Sequence, residues 1–198
     1  MLNCNFSYKH YQNTIKRFKE KYTFSNFNDC STNDIILRHD IDYSLESAVR
    51  IAEIENNLNV KSTYFILFHS EMYNIFSPTS IKYINKIIQL GHDIGLHYDA
   101  SVLSTLDIEP GKMLIEELNL LENHFNTKIN VVSAHNPTLN ENLKIPHNII
   151  NAYDPKFTKE RKYLSDSVQF WRENCFCSHI GKYEKLQILT HPIWWSEE

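Results

Sequence analysis

The chain is poor in the residues that break or staple structure: its 198 residues include only four glycines, six prolines and four cysteines. So little glycine and proline excludes a collagen-like or low-complexity chain. Four cysteines are too sparse at this length for a disulfide-built scaffold. In Cys175-Phe176-Cys177, moreover, one residue intervenes where redox and zinc-knuckle pairs usually have two. Cys4, Cys30, Cys175 and Cys177 are therefore read as reduced thiols. No apolar run approaches the ~18 residues that cross a bilayer. The opening MLNCNFSYKHYQ has no apolar stretch followed by a small-residue cleavage site, so a cytoplasmic location is the expectation. Positive charge is not in excess either. With 20 Lys and Arg against 24 Asp and Glu, no chain-wide basic field exists to hold a phosphate backbone, and nucleic acid is not an expected partner.

What remains is a globular composition, 42% hydrophobic and 22% charged, of a length that one core can serve. A single domain over residues 1–198 is expected, with no disulfide or metal needed merely to hold it together. Helix and strand patterns alternate along it. Tyr8, Tyr11, Ile15, Phe18 and Tyr22 recur at helical spacing opposite a face of Lys9, Lys16, Arg17, Lys19 and Lys21. Such a helix suits either an anionic membrane surface or its own domain, and the second is expected. Ser44 caps a helix from Leu45 to about Asn57, Pro78 opens another that Gly91 ends, and Pro110 opens a further one. Strands are expected at Ile35–Leu37, 61–68, Asp93–His97 and 128–135. Shorter ones are expected near Ile149–Tyr153, Tyr163–Ser165 and Leu186–Thr190. This α/β alternation in under 200 residues implies a parallel sheet curled into a deformed or incomplete (β/α) barrel, since a full eight-fold barrel usually needs about 250.

Polar residues gather where these strands end: His39, Asp40 and Asp42 after the first, His97 and Asp99, His135, and His191 after the last. That carboxyl edge is where parallel α/β folds build their sites. Asp and His ligands suit a zinc-like divalent ion that keeps an open position for water. Asp40 and Asp42 are two residues apart, so in an extended strand both project from one face, and one can bind metal while the other serves as a base.

Three segments carry a resemblance. RHDID at 38–42, GHDIGLH at 91–97 and ILTHP at 188–192 resemble the Asp-x-Asp, Gly-His-Glu-Ile-Gly-x-His and closing His motifs of the polysaccharide-deacetylase superfamily, carbohydrate esterases of the chitooligosaccharide-deacetylase type. The middle motif is the most specific. The resemblance implies a metal-dependent hydrolase that removes an N-acyl group, acetyl in the first instance, from an amino sugar or glycan precursor. It implies Asp40 as general base, Asp42 and His97 as ligands of a divalent ion, zinc in the first instance, and His191 as the acid that protonates the leaving amine. SDS at 165–167 resembles the region that supplies an acidic partner, giving Asp166 the role of orienting His191.

The departures are as informative. Where the superfamily has a second His four residues after the first, this chain has Ser101. His135 is the leading candidate for the missing ligand and Asp99 the next. The Arg that commonly holds the base falls near Asn136, and Arg38, on the strand face of Asp40, is the replacement. His92, just past a helix end, is assigned a structural role. Trp194 is expected to wall the substrate site, with at least one of Trp194 and Trp195 in the core. An ester or non-sugar amide substrate on the same scaffold, or a non-catalytic glycan-binding relative, are the alternatives. One geometric demand tests the scheme: Asp42 and His97 must lie within about 6 Å of each other to share an ion.

Overall fold

The computed structural model describes residues 4–29, 34–103, 105, 109–139 and 144–197. Cys30 lies outside them. Among the described residues eight strands, all paired in parallel, form one sheet: β1 (Thr23–Ser25), β2 (Asp34–Ile41), β3 (Thr63–Leu67), β4 (Asp93–Tyr98), β5 (Val131–Ala134), β6 (Ile150–Asn151), β7 (Lys162–Ser165) and β8 (Leu186–Thr190). Their order is β6-β5-β4-β3-β2-β8-β7, with β1 beside the start of β2. Among the described residues β6 and β7 do not pair, so the sheet is a half-barrel of the expected deformed (β/α) kind.

Strands buried on both faces read as continuous apolar runs, and β2 is buried along all eight residues. Ile35, Leu37 and Ile41 join the large core beneath the helices with Tyr64, Ile66, Leu96 and Val132. Ile36 faces the barrel interior with Phe65, Val131, Ala152 and Phe157. Strand alternation then puts Arg38 and Asp40 on the interior side and His39 on the helix side. Gly95 lies opposite Phe65, and a Cβ there would come within 2.5 Å of the Phe65 ring. The missing side chain makes room for Phe65 two residues before His97 on the same face.

The helices form where caps and periodicity agree. In α1 (Tyr8–Lys19), Ser7 accepts from the His10 N–H, while Tyr11, Ile15 and Phe18 are wholly buried. The amphipathic pattern therefore serves the protein's own core. In α2 (Leu45–Asn57), Ser44 accepts from the Ser47 N–H at 3.1 Å, a cap worth about 1 kcal/mol. Next comes α3 (Pro78–Gln89), capped by Ser77 and followed at Gly91 by a left-handed turn with φ of 84°. Three short elements escape the sequence pattern: β1, α4 (Ala100–Leu103) and α6 (Pro155–Thr158), each too short to show a period; between the last two runs α5 (Pro110–Phe125). No helix among the described residues is long and apolar enough to cross a membrane.

Candidate active site at the barrel mouth

The register of the sheet brings the carboxyl ends of β2, β4, β5 and β8 together. His97 of β4 pairs with Ser133 of β5, so His135 follows two residues on, beside it. Asp42, just beyond β2, meets both. Asp42 Oδ1 is 3.2 Å from His97 Nε2 and 3.5 Å from His135 Nδ1, and the two imidazole nitrogens are 3.4 Å apart. Three N or O donors about 2.1 Å from one tetrahedral ion stand about 3.4 Å from each other. The donor set thus fits a zinc-like cation without rearrangement.

The orientation of His97 agrees. His97 Nδ1–H donates to the Ser133 carbonyl at 3.0 Å, the outer hydrogen bond that commonly fixes a metal-binding imidazole. That bond turns His97 Nε2 toward Asp42 Oδ1, the side on which a shared cation would sit. Burial works to raise the Asp42 carboxyl, yet the His135, His97 and His191 imidazoles outweigh it and hold Asp42 well below the usual carboxylate range. Asp42 Oδ1 and Asp40 Oδ1 are both buried with no well-formed hydrogen-bond donor among the described residues. Such orphaned oxygens are costly unless something else fills the site.

Asp40 flanks this triad. Its Oδ2 accepts from Arg38 Nη2 at 3.0 Å and from Ser133 Oγ at 3.4 Å, which leaves Oδ1 uncommitted. Arg38 is wholly buried, its guanidinium 4.5 Å from the centre of the Tyr153 ring. Here a stacked, paired arginine holds one carboxylate oxygen and fixes the direction of the other.

His191 stands on the other side, Nε2 3.9 Å from Asp42 Oδ2. Its Nδ1–H donates to Asp166 Oδ1 at 2.7 Å, its backbone N–H to the same oxygen at 2.9 Å, and Trp195 Nε1–H to Oδ2 at 3.0 Å. Burial disfavours the imidazolium, but the hydrogen bond and charge of Asp166 prevail and raise the pKa of His191. Burial pushes the Asp166 carboxyl up as well, against donors from His191 and Trp195. Between Asp40, His135 and His191 opens a cavity of about 490 Å³, walled also by Tyr153, Tyr163 and Trp171. That volume is of the size that takes a small-molecule ligand.

Asp40, Asp42, His97, His135, His191 and Asp166 therefore share one site. His39 does not: it points to the opposite face of the sheet, its Nε2 2.9 Å from Glu55 Oε1. His92 is buried nearby and donates from Nε2 to the Ala52 carbonyl at 3.1 Å. Asp99 turns back to accept from the Ser101 backbone and hydroxyl, so Asp99 and Ser101 form a turn and leave the third donor position to His135. Trp194 does not line the cavity; its ring centre is 6.4 Å from that of His191 and 6.3 Å from that of Tyr43. Trp195 is the core member of the pair. Sequence reasoning did not find Tyr163 or Ser133, whose only signal is one-in-two alternation in strands of four residues, nor Tyr153, which lies in the turn after β6.

No known sequence family matches the chain, and no curated protein is similar to it. Solved structures are. A family 4 carbohydrate esterase from Bacillus anthracis superposes with a TM-score of 0.53 at 14% identity, over 90% of this chain and 76% of that one. A variant of the peptidoglycan deacetylase PdaC from Bacillus subtilis gives 0.50 at 16% identity, over 84% and 78%. A family 4 pseudoenzyme from Bacillus anthracis, mutated to restore enzymatic activity, gives 0.50 at 14% identity, over 82% and 57%. The shared property is the fold, the deformed barrel of family 4 carbohydrate esterases.

Proposed function

We propose that this chain is a metal-dependent hydrolase of the polysaccharide-deacetylase superfamily that removes an N-acyl group, acetyl before formyl, from an amino sugar or a glycan precursor. The observation that carries this reading is the Asp42, His97 and His135 triad, with donors 3.2 to 3.5 Å apart, flanked by a carboxylate with one free oxygen and by a histidine backed by a buried aspartate. A divalent ion held by these three residues, zinc by the chemistry of the donors, supplies Lewis-acid polarisation of a carbonyl and lowers the pKa of water.

The remaining work falls to the chain's own groups. Asp40, its Oδ2 tied to Arg38, offers Oδ1 to take the proton of the attacking water. The oxygen of that water bonds to the acyl carbon as the C–N bond breaks. His191, oriented through Nδ1 by Asp166, gives the proton on Nε2 to the departing nitrogen, and a carboxylate and a free amine leave. Burial works against the imidazolium, but the hydrogen bond and charge of Asp166 raise the pKa of His191 and so favour its acid form. Tyr153, Tyr163 and Trp171 offer rings to the apolar C–H faces of a sugar.

Release of acetate and formate from N-acyl amino sugars and their nucleotide derivatives, with metal-loaded and chelated enzyme side by side, tests the reading. Turnover that disappears with chelator and returns with zinc supports it. Turnover indifferent to chelator, or none on any N-acyl sugar, contradicts it.

A further inference from the structure

A second cluster of metal-binding side chains lies away from the barrel mouth. Cys4 Sγ and Cys177 Sγ are 3.4 Å apart, His10 Nε2 and Cys175 Sγ are 3.1 Å apart, and all four ligand atoms lie within 4.8 Å of one another. They come from three parts of the chain: the segment before α1, the first turn of α1, and a short 3-10 turn at Phe176–His179 with the residue that precedes it. None of the three cysteines is in a disulfide. Tetrahedral zinc at ordinary bond lengths puts two thiolate sulfurs about 3.8 Å apart and a sulfur and an imidazole nitrogen about 3.6 Å apart. The observed separations are a few tenths of an ångström inside those values, which a small outward movement around an ion accommodates. Three sulfurs and one imidazole nitrogen are the donors of a closed structural zinc site, with no place left for water or substrate.

Its position says what such a site would do. Residues 166–179 contain only short 3-10 turns and three non-glycine residues with positive φ, Val168, Gln169 and Asn174. No α-helix or strand runs through that stretch, yet Trp171 and Asn174, just before Cys175, line the cavity at the barrel mouth. The Trp171 ring stacks on Phe176 at 5.1 Å, between Cys175 and Cys177 in sequence. His10 stacks on Trp195, which holds Asp166.

We propose that Cys4, His10, Cys175 and Cys177 bind a structural zinc ion, distinct from the ion at the barrel mouth, that clamps the amino-terminal segment to the loop carrying the Trp171 wall. Binding to the folded arrangement alone would add its free energy to the stability of that loop.

The test is metal content and zinc-edge X-ray absorption on full-length protein purified with zinc and reductant, comparing the unaltered chain, a D42A/H97A double variant, and Cys175→Ser. D42A/H97A should retain one equivalent of zinc in a sulfur-dominated shell. Cys175→Ser should lose that sulfur signature, melt at lower temperature and keep the N/O-ligated equivalent. Zinc with only nitrogen and oxygen neighbours in the unaltered chain, or D42A/H97A protein without bound zinc, overturns the proposal. So does a Cys4–Cys177 disulfide persisting in the zinc-loaded protein, seen as a mass 2 Da lower. Should Cys175→Ser fail to fold, D42A/H97A still decides. A sulfur-ligated zinc would stand whether or not the mouth proves catalytic.

Discussion

His39 and Asp40 are neighbours on β2 that point to opposite faces of the sheet, each into a buried carboxylate cluster. On the helix side, Glu55 accepts from Tyr11 OH, from Ser62 Oγ at 2.6 Å and from Tyr64 OH at 2.8 Å, with His39 Nε2 2.9 Å away. Both of its oxygens are saturated. On the barrel side, Asp40 and Asp42 each keep a buried oxygen without a well-formed donor. The difference separates structure from chemistry. A fully satisfied buried carboxylate ties elements together, here α1, α2, β2 and β3, whereas an unsatisfied pair converging on a cavity is an arrangement that a further occupant would complete. Histidine next to a carboxylate occurs in both clusters and does not discriminate.

The contrast can be broken by exchanging effects between the two clusters. The largest expected change is on the barrel side: Asp40→Asn should lower kcat about 10²- to 10⁴-fold, the usual scale of general-base removal, while zinc content stays unchanged by metal analysis. Asp166→Asn should cost about 10²-fold, because the amide no longer fixes the imidazole proton on Nδ1. Without the Asp166 carboxylate that raises it, the alkaline limb of the kcat profile should also move to lower pH. Glu55→Gln should show the opposite pattern, a loss of about 3 kcal/mol in denaturant unfolding with kcat within a few-fold of the parent.

A subtler distinction is pH dependence of stability. Burial pushes Glu55 up, but the charge and hydrogen bond of His39, then His92 and Ser62, bring it down to about 2 from an ordinary 4.5. A depressed carboxyl contributes stability that is complete above its unfolded pKa and drains away as pH falls through 4.5 toward 2, about 3 kcal/mol in all. Unfolding free energies measured from pH 6 to 3 should fall more steeply for the parent than for Glu55→Gln; parallel curves would contradict the linkage. The smallest effect is expected at the cavity wall. Trp171→Ala should raise KM by about 10-fold, near 1.4 kcal/mol, with kcat little altered, and Trp194→Ala should raise it less.

The legible parts of this molecule are those whose signal is local. RHDID and GHDIGLH each place a ligand a fixed number of residues along one strand, so Asp42 and His97 could be named from sequence. His135 could only be ranked above Asp99, because its place depends on the register between β4 and β5. His39 looked like a member of the strand-end cluster, although alternation alone directs it away from Asp40. Trp171 reaches the cavity through a loop without periodicity, and no pattern favours it over Trp194. The thiol cluster joins positions more than 160 residues apart, so its spacing carries no motif at all.

The central claim is that Asp42, His97 and His135 hold one divalent cation beside Asp40. Anomalous scattering collected at the zinc edge from crystals grown with the metal tests it most directly. A peak about 2.0–2.2 Å from one Asp42 oxygen, His97 Nε2 and His135 Nδ1 is the predicted result. A map with no peak at the barrel mouth, or with the ion held by a different set of residues, would contradict it.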